Sequence, residues 1–169
     1  TDAAVEGILR LRNGSDAPIE AVKMGTTVAT NALLERKGAR VALLITEGFG
    51  DLLRIGTQAR PRLFDLDIRL PDLLYERVAE IPERRDATGA VLRPLDEAAL
   101  RQALQEAFDD GILSVAIAFL HSYLDPGHER IAADMARDMG FTQVTASHEA
   151  SKLIKLVGRG DTAVVDAYL

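Results

Sequence analysis

An α/β fold, with a mixed, largely parallel sheet flanked by helices and a β-hairpin insertion, is predicted by three features of this 169-residue chain. "RVALLIT" (40–46) and "SVAIAFL" (114–120) are unbroken apolar runs, the pattern of strands covered on both faces. The segments around the second run carry helical periodicity instead of alternation. Gly111 and Gly140 punctuate the passages from helix to strand, so the second half reads as a strand–helix–strand unit that crosses over right-handed into parallel pairing.

The elements follow in order. Residues 2–12 place Val5, Ile8 and Leu11 on one helical face, and Asn13-Gly14 stops them. Residues 19–24 read as a short strand, and Thr26 to Lys37 as a helix closed by Gly38. After the 40–46 strand, "EGFGDLLRIG" is a glycine-punctuated loop with a short helix, and 56–73 is an irregular excursion marked by Pro61 and Pro71. "VAEIPERRDATGAVLRPLD" has the form of a hairpin turning at Asp86-Ala87-Thr88-Gly89, with Pro82 and Pro94 confining its strands to an edge. Leu100, Ala103, Leu104, Ala107 and Phe108 define an amphipathic helix. Asp125 and Pro126 then start another helix, "TQVTAS" (142–147) returns as a strand, and 162–169 opens a last, apolar helix at Asp161 or Thr162.

Composition limits the function classes. Hydrophobic content of 47% with 27% charge describes an ordinary globular chain. A formal charge of -6 without a Lys/Arg run argues against a nucleic-acid surface. The absence of cysteine excludes disulfides, thiolate zinc sites and thiol nucleophiles. No signal-peptide pattern or 18-residue apolar run is present, so the expected location is the cytoplasm, with no membrane partner. The chain starts at Thr1 and stops at Leu169 within an apolar helical pattern. The expectation is a single α/β domain over 1–169, with an insertion at about 56–95, cut from a longer protein.

Ligands of parallel α/β sheets bind beyond the carboxyl ends of the strands. Those ends here are Gly25-Thr26-Thr27, Glu47-Gly48-Phe49-Gly50, His121-Ser122-Tyr123 and His148-Glu149. Gly25 allows close backbone approach, Thr26 or Thr27 can cap the following helix, and free N–H groups there can hold an anion. Thr27 and Asn31 share one helix face. The plainer alternative is a single capping threonine and a structural asparagine. His121 is either a structural hydrogen-bonding residue or a site residue, and His128 with Glu129 reads as a solvated face. Arg159 reaches toward an anion or carboxylate near the start of the last helix, where Thr162 also lies. No Gly-x-x-x-x-Gly-Lys-Ser/Thr loop, Gly-x-Gly-x-x-Gly loop or His-Glu-x-x-His zinc helix is present, and Ser147-His148-Glu149 lacks a nucleophile elbow.

"GTTVATNALLERKGARVALLITEGF", "LHSYLDPGHE" and "TAVVDAYL", in that order and spacing, resemble the N-terminal part of the hydantoinase A / 5-oxoprolinase family. The resemblance implies part of an actin-like ATPase-type fold and an ATP-dependent enzyme that opens cyclic amides such as hydantoin, N-methylhydantoin or 5-oxoproline. It further implies ATP and Mg²⁺ for the full-length protein, none for this fragment, and a companion large subunit or domain. In that family two Asp-x-Gly-Gly-Thr hairpins hold the phosphates, and neither occurs in this chain, so the fragment alone is expected to be inactive and its catalytic residues unknown. With the resemblance added, Gly25, Thr26, Thr27 and Asn31 become crevice-wall candidates, with His121, Arg159 and Thr162 beside them and no metal ligand assigned. Met24 stands where the family usually has His. Two alternatives remain: the ATP-handling subunit of an acetone or acetophenone carboxylase, and a non-catalytic assembly module.

Overall fold

A computed structural model describes residues 3–15, 17–23, 25, 27–57 and 72–169. Its elements are α1 (Ala3–Arg12), α2 (Val28–Leu34), β1 (Val41–Thr46), α3 (Leu52–Ile55), β2 (Arg77–Ile81), β3 (Arg84–Arg85), β4 (Val91–Arg93), α4 (Glu97–Asp109), β5 (Ser114–Ala118), α5 (Gly127–Asp138), β6 (Gln143–Ala146), α6 (Ser147–Ala150) and α7 (Leu156–Tyr168). Four strands form one sheet in the order β2-β1-β5-β6, all neighbours parallel, and β3 and β4 form a separate antiparallel pair. All carboxyl ends of the main sheet therefore lie along one edge.

Alternation along the inner strands divides the core into two layers. Ala42, Leu44, Val115 and Ile117 face Leu100 and Leu104 of α4 and Ala132 and Ala136 of α5. Val41, Leu43, Ile45, Ala116 and Ala118 face Leu156, Ala163, Val164 and Ala167 of α7. Small side chains on β5 let α7 come close: a Cβ on Gly160 would stand 2.9 Å from Leu53 Cδ2 and 3.5 Å from the Ala118 Cβ. At the opposite, amino edge, a Cβ on Gly38 would stand 2.2 Å from the Tyr168 ring, and Ala39 N–H donates to the Tyr168 carbonyl at 2.8 Å. Asp96 caps α4 by accepting from the Ala98 and Ala99 amides at 3.1 and 3.0 Å, which satisfies donors that the first turn leaves free.

Four expectations are corrected. Residues 19–23 form no strand and are exposed; Ile19 and Val22 find no ladder partner among the described residues, and Met24 lies outside them. "VAEI" is not a hairpin arm but part of β2, parallel to β1, and the hairpin is confined to β3 and β4 around the Asp86 turn. The last helix begins at Leu156, five residues ahead of Asp161, because Gly158 and Gly160 serve close packing against Leu153 and Leu53. β5 ends at Ala118, and side chains instead of a neighbouring strand hold Phe119 and Leu120. Most of the 56–73 excursion lies outside the described residues.

Candidate functional site

Just beyond β5, the chain's backbone groups pass from sheet partners to buried side chains. Phe119 N–H donates to Glu129 Oε1 at 2.8 Å, Phe119 C=O accepts from Arg159 Nη2, and Leu120 N–H donates to Thr46 Oγ1 at 2.8 Å. Glu129 comes from α5 on one face of the sheet and Arg159 from α7 on the other, and both are wholly buried. Between them, Ser147 Oγ accepts from Arg159 Nε at 2.8 Å and donates to Glu129 Oε1 at 2.5 Å. One hydroxyl thus relays a buried cation to a buried anion around the end of the strand.

Glu129 is saturated. Ser122 Oγ donates to Oε1 at 2.8 Å, and the His148 amide and Nδ1–H donate to Oε2 at 3.0 and 2.7 Å. Burial pushes its carboxyl pKa up, but the bonds from His148, Ser147 and the Phe119 and His148 amides outweigh that and hold it below the usual value. Burial pulls the Arg159 guanidinium down from its ordinary pKa, opposed by the charges of Glu129 and Tyr123. The remaining Arg159 donors reach the Leu153 and Ile154 carbonyls at 3.2 and 3.3 Å, and its guanidinium lies 5.7 Å from the centre of the Tyr123 ring.

A second buried link joins β1 to α5. Thr46 Oγ1 donates to Glu83 Oε1, and Glu83 Oε2 pairs with His128 Nδ1 at 2.8 Å. Two of the chain's three histidines are therefore locked to buried glutamates. His121 is the exception: it is half-buried, with a backbone φ of +61°, and neither ring nitrogen has a hydrogen-bond partner among the described residues. Its ring lies against Tyr123, centroids 6.0 Å apart.

The predicted site residues fall into two groups. Arg159 and His121 stand together at the carboxyl edge, joined through Tyr123. Thr162 is exposed one turn along α7, its hydroxyl bonded to the Gly158 carbonyl at 2.8 Å. Gly25, Thr27 and Asn31 are exposed; Thr27 occupies the N-cap position of α2 without a side-chain cap bond, and no hydrogen bond or ion pair joins these residues to the His121 group. Thr26 lies outside the described residues.

Arg159, expected near a helix start and reaching toward an anion or carboxylate, lies in the first turn of α7; its hydrogen-bond partners are carbonyls and Ser147, which links it to the internal Glu129 carboxylate. His128 and Glu129, read as a solvated face, are buried. Their position in the first turn of the helix that follows an inner apolar strand is the signal that could have revealed them. Ser147, His148 and Glu129 hold triad residue types, but the carboxylate sits between hydroxyl and imidazole, so the imidazole is not placed to take the serine proton.

The glycine-rich turn after β1 does not fit a triphosphate. The amides of Gly48 and Gly50, the glycine-rich turn after β1, both donate to Glu80 Oε1, at 3.0 and 2.6 Å, and so are already occupied by an internal carboxylate. Beside that turn is a cavity of about 440 Å³ lined by Phe49, Asp51, Leu52, Val78 and Glu80, two of them acidic and none cationic. No cluster of three potential metal ligands occurs among the described residues, and no described helix is long and apolar enough to cross a membrane.

Comparison with known proteins adds to this geometry. The family profile described as the hydantoinase/oxoprolinase N-terminal region matches residues 1–140. 5-Oxoprolinase 1 of Arabidopsis thaliana is 42% identical over 99% of this chain, which spans 16% of that protein. The acetophenone carboxylase gamma subunit of Aromatoleum aromaticum is 34% identical over 89% of the chain and 23% of the subunit. The crystal structure of the ATP-dependent caprolactamase from Pseudomonas jessenii superposes with a TM-score of 0.81 at 30% identity, over 99% of this chain and 26% of that one.

Proposed function

The chain belongs to the hydantoinase/oxoprolinase N-terminal family, and on that premise we propose that it is part of an ATP-dependent enzyme that hydrolyses a cyclic amide. The candidate substrates are hydantoin, N-methylhydantoin and 5-oxoproline. The observation that carries this reading is similarity over 99% of this chain to parts of both a 5-oxoprolinase and an ATP-dependent caprolactamase. The two names describe opening of a lactam ring.

The chemistry gives ATP a reason. An unstrained amide is a poor electrophile, and phosphorylating its oxygen makes the ring carbon electrophilic enough for water. The ring C–N bond then breaks as the nitrogen takes a proton, and hydrolysis of the resulting acyl phosphate releases carboxylate and phosphate. Stabilising the phosphoryl transfer needs Mg²⁺ and positioned donors. Because the turn after β1 is occupied by Glu80 and this chain has no Asp-x-Gly-Gly-Thr hairpin, the phosphate-gripping loops are assigned to the rest of the parent protein, along with a companion subunit or domain. This segment contributes a rigid carboxyl edge that presents the turn after β5, and the isolated fragment is not expected to turn over ATP.

The test is nucleotide hydrolysis by the full-length parent with Mg²⁺ and its companion, with each ring compound in turn and the fragment as control. Stimulation by one ring compound identifies the substrate. The acetophenone carboxylase relative supports a second reading, ATP-dependent activation of a ketone enolate. Stimulation by a ketone with bicarbonate, and by no ring compound, would select that reading.

A further inference from the structure

We propose that His121 is the ligand-contacting residue of this carboxyl edge, its imidazole meeting a carbonyl or phosphoryl oxygen of the bound reactants. The proposal rests on the reading of the parent as an ATP-dependent amide hydrolase. It starts from the backbone. A non-glycine residue at φ +61° is disfavoured, and such a conformation persists only where its surroundings impose it.

Here they do. The residue pair before His121 is fixed at Phe119 N–H, Phe119 C=O and Leu120 N–H by Glu129, Arg159 and Thr46, all buried or bonded to buried groups. The residue after it, Ser122, is fixed by its hydroxyl on Glu129. The His121 carbonyl closes the turn by accepting from Leu124 N–H at 3.0 Å. So much fixed structure converges on a single side chain that has no hydrogen-bond partner of its own among the described residues.

A turn of this shape needs no imidazole. Glycine or asparagine suits the left-handed conformation better. The ring is nevertheless oriented: it packs on Tyr123, whose own ring is backed by the Arg159 guanidinium, making a ladder from the core to the surface. Asp86, in the hairpin turn, lies near His121, and its carboxyl is held low first by its hydrogen bonds from Thr88. Gly89 of the same turn lies against Leu124 and Asp125, so the hairpin flanks the residue. His121 also follows an inner parallel strand, where α/β sheets place their ligands. The contrast with His128 and His148, each bonded to a buried glutamate, separates a presented histidine from two structural ones.

The experiment uses the full-length parent in two arms. In the first, histidines are carbethoxylated with diethylpyrocarbonate and quantified by peptide mass spectrometry, without ligand, with 5-oxoproline or N-methylhydantoin, and with Mg-ATP. His121 should label while His128 and His148 stay protected, and one ligand should cut His121 labelling at least threefold. Protection by the ring compound assigns a carbonyl contact, and protection by Mg-ATP a phosphoryl contact. In the second arm, His121→Gly and His121→Asn should keep the thermal midpoint at or above that of the unaltered protein. Both should lose at least tenfold in ring-stimulated ATP turnover, and added imidazole should restore part of the loss in His121→Gly.

Unchanged labelling with every ligand overturns the proposal, and so do two variants with undiminished turnover. A parent that turns over no ATP with any ring compound, yet whose His121 is shielded by a ligand, refutes the amide-hydrolase reading and leaves His121 as the contact.

Discussion

Two stretches within the motifs that carry the family resemblance are treated by the chain in opposite ways. In 119–129 the polar residues Ser122, His128 and Glu129 are buried: Ser122 bonds Glu129, His128 bonds Glu83, and Glu129 ties α5 to the end of β5 and to α6. Among the described residues of 25–34, the Gly-Thr-Thr segment and α2, none is fully buried, Thr27 caps nothing with its side chain, and Val28 and Leu34 are largely exposed. The difference separates two reasons for a sequence to be particular. The first stretch is specified by this chain's own folding. In the second, Leu33 packs against the α7-side core while the other described residues face outward, and we propose that this outward face meets a ligand or the remainder of the parent protein.

Substitutions can break that contrast, beginning with the largest effect. Replacing Arg159 with Met should lower unfolding free energy by about 3–5 kcal/mol, because Glu129 stays buried without its counter-charge. Urea unfolding measures it, and a loss under about 1 kcal/mol would make the relay through Ser147 dispensable. Gly38→Ala should cost about 1–3 kcal/mol by overpacking against Tyr168, visible as a lower urea midpoint with unchanged slope.

Acid comes next. The Glu129 carboxyl is depressed below 4.5, so its contribution is fully present above that pH and is lost as pH falls through the folded value. Stability should therefore decline on acidification below about 4.5, and Glu129→Gln should flatten that limb. An identical limb in the variant would remove Glu129 from the account. The smallest effect is expected in α2: Thr27→Ala and Asn31→Ala should each change stability by less than about 0.5 kcal/mol. Their effect should appear in the parent's activity instead, and a large stability loss would mean that α2 is held by this chain after all.

The same contrast explains what the sequence made legible. β1 and β5 could be read directly, because strands buried on both faces must be apolar at every position. α4 showed its stripe, and the start of α5 was read one residue early at Asp125-Pro126, where Pro126 holds the N-cap position. Arg159 could not be placed, because local pattern treats arginine as a surface residue, whereas the ends of β5 and β6 offer it carbonyls and a serine. Gly158 and Gly160 hid the start of α7 for a related reason: they act as packing residues where local rules treat glycine as a breaker. Residues 19–23 had strand-like composition but no partner strand. The candidate site was half legible. His121 was picked out by its place after an apolar strand, but its backbone conformation and the buried fasteners around it arise from contacts across the sheet.

Amide hydrogen exchange on the 169-residue chain tests the central contrast most directly. Phe119 and Leu120 amides, bonded to Glu129 and Thr46, should be protected to the same degree as the interior of β1 and β5, while Asn31 and Glu35 of the α2 region should exchange at least a hundredfold faster. Equal protection of both regions, or rapid exchange at Phe119 and Leu120, would contradict it.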